Sequence, residues 1–243
     1  MSARSAVIVN ADSGDILYSK NARLKLPPAS TTKLMTVLVA LDKLGWEASV
    51  VISKKAADAP SSRGGFGQGV RYKSRDLIVA SLVASSNDAA IALAEAAAGS
   101  ESKFAETMNQ YAKKIGMKDT CFVNATGLTD KRKKQYTTAY DLSLLMRHAS
   151  KNPEIDHIMA VTYANIRGSD GKTISIKSHN KMLWRTPHFV IGKTGWTFAS
   201  RHTFVGTDYS PDKKITFAML SSQNPWIDIK RLALFGLLLY QTH

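Results

Sequence analysis

Strand-like segments sit near both ends of this chain, and the stretch between them reads as helix. Ala6 to Asn10, Ile16 to Ser19, Thr203 to Thr207 and Ile215 to Ser221 are short runs of β-formers. Helical patterns follow Ser30 and occupy about Asp76 to Ala84, Ala89 to Ala98, Ser102 to Lys114 and Tyr140 to His148. Bringing the two sets of strands together makes an antiparallel sheet flanked by helices, an α+β architecture. The expected layout is one domain over 1–243 with two lobes, a sheet lobe from about 1–59 plus 155–243 and a helical lobe from about 60–154. The final segment from Trp226 places Ile227, Leu232, Leu234 and Leu238 at helical spacing, so a helix packed on the sheet is expected.

Ser30-Thr31-Thr32-Lys33 opens the first helix. A serine and a lysine three apart share a helix face, and a lysine whose pKa is lowered can take the proton of an attacking hydroxyl. Ser30 could equally cap the helix N-terminus. Two more short motifs weigh against that plainer reading. Ser85-Ser86-Asn87 lies between two apolar stretches and reads as a loop joining two buried helices, with Asp88 or Asn87 capping the second. Lys193-Thr194-Gly195 follows Phe189-Val190-Ile191-Gly192 and sits on or beside a strand. S-x-x-K, S-x-N and K-T-G in that order are the signature set of the penicillin-interacting serine acyltransferases.

The chain resembles the D-alanyl-D-alanine carboxypeptidases, low-molecular-mass penicillin-binding proteins of β-lactamase/transpeptidase-like fold. The likeness extends to Ala6–Gly14 as a first hairpin turning at Ser13-Gly14, to Pro28–Thr36, to Ala84–Ala90 and to Phe122–Leu128. Thr137–Leu142 and Gly192–Thr197 complete it. The resemblance implies an acyl-enzyme formed at Ser30, with Lys33 as general base and Ser85 bridging the amine chain and relaying a proton to the leaving D-alanine. It also implies that Asn87 binds the substrate amide and fixes Lys33, and that Lys193 keeps Lys33 neutral by like-charge repulsion. Thr194 and Thr197 would bind the terminal carboxylate, the backbone N–H groups of Ser30 and Trp196 would form the oxyanion hole, and Gly195 would allow close approach. The implied substrates are the stem peptides of peptidoglycan, with β-lactams as mimics that acylate Ser30.

The chain departs from the family at three places. Thr126 stands where many relatives have histidine, and Ser200-Arg201 replaces Ala-Gly. Arg201 could reach a substrate carboxylate or lie on the surface. Gly64–Gly69 is glycine-rich but has no lysine-serine ending, so it reads as a mobile lip to the cleft rather than a phosphate loop. The same site serves a D,D-transpeptidase or endopeptidase equally well. A β-lactamase needs a further carboxylate, for which Asp130 and Glu154 are forced choices. An inactive envelope-binding module is the reading from a different class.

Composition bounds these readings. With 243 residues, 44% hydrophobic and 21% charged, this is an ordinary globular chain able to bury a core. No apolar run is long enough to span a bilayer. Cys121 is the only cysteine, so no intramolecular disulfide forms, and its apolar neighbours suggest a buried thiol. The six histidines show no metal-ligand spacing such as H-E-x-x-H, and no G-x-S-x-G elbow offers an α/β-hydrolase serine; no metal and no cofactor are expected. The net charge of +14, densest at Lys131-Arg132-Lys133-Lys134, comes with no nucleic-acid-binding motif. It fits attraction to the anionic polymers or lipids of a cell envelope, or simply a solvated face. The chain starts without an apolar leader; the resemblance implies an exported enzyme, periplasmic or extracytoplasmic, whose leader is expected to have been removed and in which the extra C-terminal domain of some relatives is expected to be absent.

Overall fold

In the computed structural model, which describes residues 1–130, 132–185, 190–210 and 213–240, the two ends of the chain form one sheet. Strand β1 (Ser5–Asn10) pairs with β2 (Ile16–Lys20) on one side. On its other side it pairs with β9 (Lys213–Ser222), Ser5 opposite Leu220 and Asn10 opposite Ile215. The antiparallel order is β2-β1-β9-β8-β7, with β8 at Arg201–Ser210 and β7 at Val190–Thr197. Because β1 and β9 are central, both their faces are covered, and they read as nearly unbroken apolar runs. Ala6 and Ile8 pack with Phe217 and Met219 beneath the last helix, α9 (Pro225–Leu239). Val7 and Val9 face the opposite way, into the larger core with Ala218 and Leu220.

Eight helices precede α9 among the described residues. They are α1 (Thr32–Leu44), α2 (Lys54–Ala57), α3 (Ser74–Val83), α4 (Asn87–Ala98), α5 (Glu101–Lys114), α6 (Ala139–Ala149), α7 (Pro153–Ala160) and α8 (Met182–Arg185). Helix α1 packs against α3, α4 and α5, although it falls within the segment expected to belong to the sheet lobe. Helix α6, from the expected helical segment, lies instead on β1, β8 and β9. One continuous core runs through both groups, so sequence position does not sort helices into lobes. Two small hairpin-like pairs were not legible: β3 (Ser49–Val51) with β4 (Arg71–Lys73), and β5 (Tyr163–Arg167) with β6 (Thr173–Lys177).

Three local expectations need correction. Neither Asp88 nor Asn87 is the cap of α4: Ser86 occupies that position, without a side-chain bond to the helix. The Asp88 carboxylate is used elsewhere, accepting from the backbone N–H groups of Gly64 (3.0 Å), Gly65 (2.9 Å) and Phe66 (3.3 Å). The expected mobile lip is therefore tied down at three amides, and the buried Phe66 ring sits edge-on to Tyr72 at 4.8 Å. Cys121 is half-buried rather than fully buried. Phe189 and Lys131 lie outside the described residues.

Candidate active site

Ser30 lies in a short 3-10 turn, Ala29–Thr31, that leads directly into α1, so it is not the helix cap. Ala29 holds a left-handed backbone (φ 48°), a conformation unfavourable for a residue with a Cβ, and Ser85 does the same (φ 57°). Such strain concentrates where a side chain must be aimed. Lys33 is one helical turn on, and its Nζ lies 3.0 Å from Ser30 Oγ. It also donates to the Thr126 carbonyl at 2.9 Å. The Thr126 side chain turns away, its Oγ1 bonding Asn124 and accepting from the Leu128 N–H.

Lys33 is fully buried. Desolvation, and then the charge of Lys193, hold its pKa well below that of an ordinary lysine, while Asp88 opposes the shift. Lys193 is as deeply buried, and desolvation pushes its pKa down to about 7. Its Nζ donates to the Thr194 carbonyl at 2.9 Å. Both lysines are thus held by carbonyls rather than carboxylates, so no contact ion pair offsets the cost of their charge. A neutral amine beside a serine hydroxyl is the arrangement that general-base activation requires.

Strand β7 is the sheet's edge, so half of its backbone groups face outward unpaired. It runs hard against the Ser30 turn. A Cβ on Gly195 would lie 2.8 Å from the Ser30 nitrogen and 2.4 Å from Thr203 Oγ1, so only glycine fits. Thr203 in turn donates to the Pro28 carbonyl at 3.0 Å, clamping the sheet to the nucleophile segment. Gly127 closes the opposite side in the same way: its Cβ position falls within 1.8 Å of the Ala29 carbonyl oxygen. The backbone nitrogens of Ser30 and Trp196 thus belong to two segments locked together at Gly195.

The second motif is less connected than expected. The Ser85 hydroxyl makes no hydrogen bond among the described residues, so it does not bridge the lysines. Asn87 does not hold Lys33; its Nδ2 donates to the carbonyls of Pro60 (2.9 Å) and Ser61 (3.3 Å), and its buried Oδ1 has no partner. Thr194 is half-buried on β7, opposite Phe204. Thr197 is bonded to Ser200, Oγ to Oγ at 2.8 Å, which stiffens the turn into β8. Arg201 lies opposite Thr197 in that turn, exposed, with a left-handed backbone and no ion pair among the described residues. Trp196 and Phe198 stand exposed together at this edge, ring centroids 4.9 Å apart.

One nearby residue carried no signal in its spacing. His179 donates its backbone N–H to Val83, two residues before Ser85. Its neighbour Asn180 donates to the Val190 carbonyl at 2.9 Å, three residues before Lys193. The strap they form puts the His179 imidazole within the field of both lysines, and desolvation followed by those charges lowers its pKa. No cluster of His, Cys, Asp or Glu among the described residues could hold a metal.

A five-stranded antiparallel sheet whose edge strand meets a serine–lysine pair beneath flanking helices is the fold of the penicillin-binding serine peptidases. A crystal structure of penicillin-binding protein D2 from Listeria monocytogenes, in its ampicillin-bound form, superposes with a TM-score of 0.86 at 28% identity over 98% of each chain. The chain belongs to the D-alanyl-D-alanine carboxypeptidase family, peptidase S11, whose model matches residues 1–224. It is 33% identical over 90% of its length to D-alanyl-D-alanine carboxypeptidase DacB2 of Mycobacterium tuberculosis, covering 74% of that protein. It is 29% identical over 99% of its length to DacF of Bacillus subtilis, spanning 64% of that longer relative. Members of this family are bacterial cell-wall enzymes.

Proposed function

We propose that this chain is a serine-type D-Ala-D-Ala carboxypeptidase that removes the terminal D-alanine from peptidoglycan stem peptides outside the cytoplasmic membrane. The observation that carries this reading is the 3.0 Å contact between Ser30 Oγ and a buried Lys33, beside the equally buried Lys193. Lys33 takes the hydroxyl proton as Ser30 attacks the carbonyl carbon between the two D-alanines. The developing oxyanion is held by the backbone N–H groups of Ser30 and Trp196. Donors fixed in place before reaction supply a large share of the rate, and losing one costs roughly 100- to 1000-fold in comparable hydrolases.

The proton must then reach the leaving nitrogen. Ser85, with its hydroxyl uncommitted, passes it from Lys33 to the departing D-alanine. The free Asn87 Oδ1 accepts the N–H of the substrate's peptide, and Lys193 with Thr194 and Thr197 meets the terminal carboxylate. Water then attacks the acyl-serine, releasing the shortened peptide and returning the proton to Ser30. A β-lactam enters the same site and stops at the acyl-enzyme. No helix among the described residues is long and apolar enough to cross a membrane.

An intact-mass time course with benzylpenicillin, run beside Ser30→Ala, tests the site. The expected result is one stable adduct that the variant lacks. D-Alanine release from a peptide ending in D-Ala-D-Ala then tests the reaction. An adduct without D-alanine release would retain the acylating serine and overturn the carboxypeptidase assignment. Hydrolysed drug with no adduct would replace it with a β-lactamase.

A further inference from the structure

A cavity of about 310 Å³ adjoins the nucleophile turn and is used by none of the steps above. Gly127 forms part of its wall, and Gly127 is the residue packed against the Ala29 carbonyl, one position before Ser30. Its floor is apolar, from Leu26, Pro27 and Tyr136. Its mouth is basic. Lys133 and Lys134 are exposed there, and neither has an ion-pair partner among the described residues. Lys25 also lines it but is already paired with Asp119 at 3.1 Å and lies over the Tyr136 ring. Asp130 is the one lining carboxylate among the described residues, and it is occupied in holding the loop, accepting from the Arg132 and Lys133 N–H groups at 2.6 and 2.9 Å.

A second observation points to a ligand. Gln135 lines the cavity and is 8% exposed. Its Nε2 donates to the Leu128 carbonyl at 2.6 Å, which fixes the amide's orientation, and its Oε1 has no partner. A buried acceptor left unpaired costs free energy unless a donor arrives. The cavity therefore offers an apolar floor, two uncommitted cations at the rim and, in its wall, a buried amide oxygen with no partner.

We infer that this cavity is a subsite for the acyl-donor part of the substrate, selecting peptides that carry a carboxylate on the N-terminal side of the scissile bond. The inference rests on the carboxypeptidase reading, since it assigns the cavity to that enzyme's own substrate. A peptide N–H donates to Gln135 Oε1, an aliphatic stretch covers Leu26 and Tyr136, and the carboxylate meets Lys133 and Lys134. Exposed charge pairs are individually weak, so the selection is salt-sensitive and works by the summed field of two lysines.

The test compares two peptides ending in D-Ala-D-Ala, one preceded by a side-chain-acetylated lysine alone and one extended by glutamate. In low salt the wild-type kcat/KM is expected to favour the acidic peptide by about tenfold, falling as ionic strength rises. The double variant Lys133→Glu/Lys134→Glu should reduce that ratio at least about fivefold. Lys113→Glu/Lys118→Glu, which changes net charge equally but away from the cavity, should leave the ratio alone. Gln135→Leu should raise KM for both peptides with little change in kcat. A ratio that survives the Lys133/Lys134 reversal, or one moved as much by the control pair, overturns the subsite. Benzylpenicillin acylation is followed in parallel. Normal acylation with neither peptide cleaved would overturn the carboxypeptidase reading instead. In that event the capacity of each peptide to slow acylation still reads the cavity directly, and equal slowing by both would overturn it too.

Discussion

The two sides of the cleft are prepared to different degrees. On one side Ser30, Lys33 and the Thr126 carbonyl already touch, and Gly127 and Gly195 lock the surrounding backbone to within van der Waals limits. On the other, Ser85 has no partner among the described residues, Asn87 Oδ1 and Ser86 Oγ are buried and unsatisfied, and Asn87 leans on Pro60 and Ser61. In the proposed mechanism the closed side activates the nucleophile, which it can do before any substrate arrives. In the same mechanism the open side reads the substrate, and its uncommitted polar groups are the ones that a ligand would pair. Buried unsatisfied groups are rare in folded proteins, and for Asn87 Oδ1 the proposed contact with the substrate amide gives a reason.

Substitutions on the closed side should have the largest effects. Ser30→Ala should abolish the penicillin adduct by intact mass, and Lys33→Ala should slow acylation by roughly 1000-fold or more, since base and nucleophile act as a unit. Acylation by the Lys33→Ala variant within about tenfold of wild type would break the comparison, because activation would then come from elsewhere. Gly195→Val should follow, with acylation down roughly 100-fold as the strand is driven off the Ser30 turn and the Trp196 N–H is displaced. Circular dichroism would show whether the fold persists.

On the open side, Asn87→Ala should lower kcat/KM for peptide by roughly tenfold while leaving the Ser30–Lys33 contact in place. The same change frees two loop carbonyls, so a stability loss of about 1–3 kcal/mol in urea denaturation is also expected. Equal losses in peptide turnover and stability with no change in drug acylation would make Asn87 a loop anchor rather than a substrate reader.

The smaller effects concern pH. Lys33 must be neutral to act, and the charge on Lys193 helps to keep it so. Lys193→Met should therefore raise the Lys33 pKa and move the acid limb of the acylation profile to higher pH. The native pKa of Lys193, about 7, is below the 10.5 of the unfolded chain, so between those values the unfolded chain binds the extra proton. Stability is expected to rise with pH across that window, at up to about 1.4 kcal/mol per pH unit for each such lysine, and thermal denaturation of Lys193→Met should show a shallower rise.

Much of this was legible from residues alone. The four main strand segments are runs of β-formers, the buried helices and the last helix carry helical spacing, and the three motifs single out Ser30, Lys33, Ser85, Asn87 and Lys193. The β5–β6 pair was missed although Ile166, Ile174 and Ile176 alternate with polar residues, because each run sets only two large side chains among small and polar ones. Asp88 looked like a helix cap because acidic residues at helix starts usually are. Its partners, Gly64 to Phe66, lie more than twenty positions away, beyond what local pattern can report. His179 and Gln135 had no signal at all, and the basic run that includes Lys133 and Lys134 showed in the sequence without the cavity beneath it.

What the sequence determined by itself was the chemistry available and the order in which it appears. Short-range rules decide this, because the reach from a serine to a lysine three residues on depends only on helix geometry. The tertiary structure decided the state of that chemistry. Lys33 and Lys193 are far apart in the chain, and only the docking of β7 against the Ser30 turn buries both amines with no carboxylate in contact. It is that shared desolvation that lowers their pKa values, and burial is a property of the packed molecule.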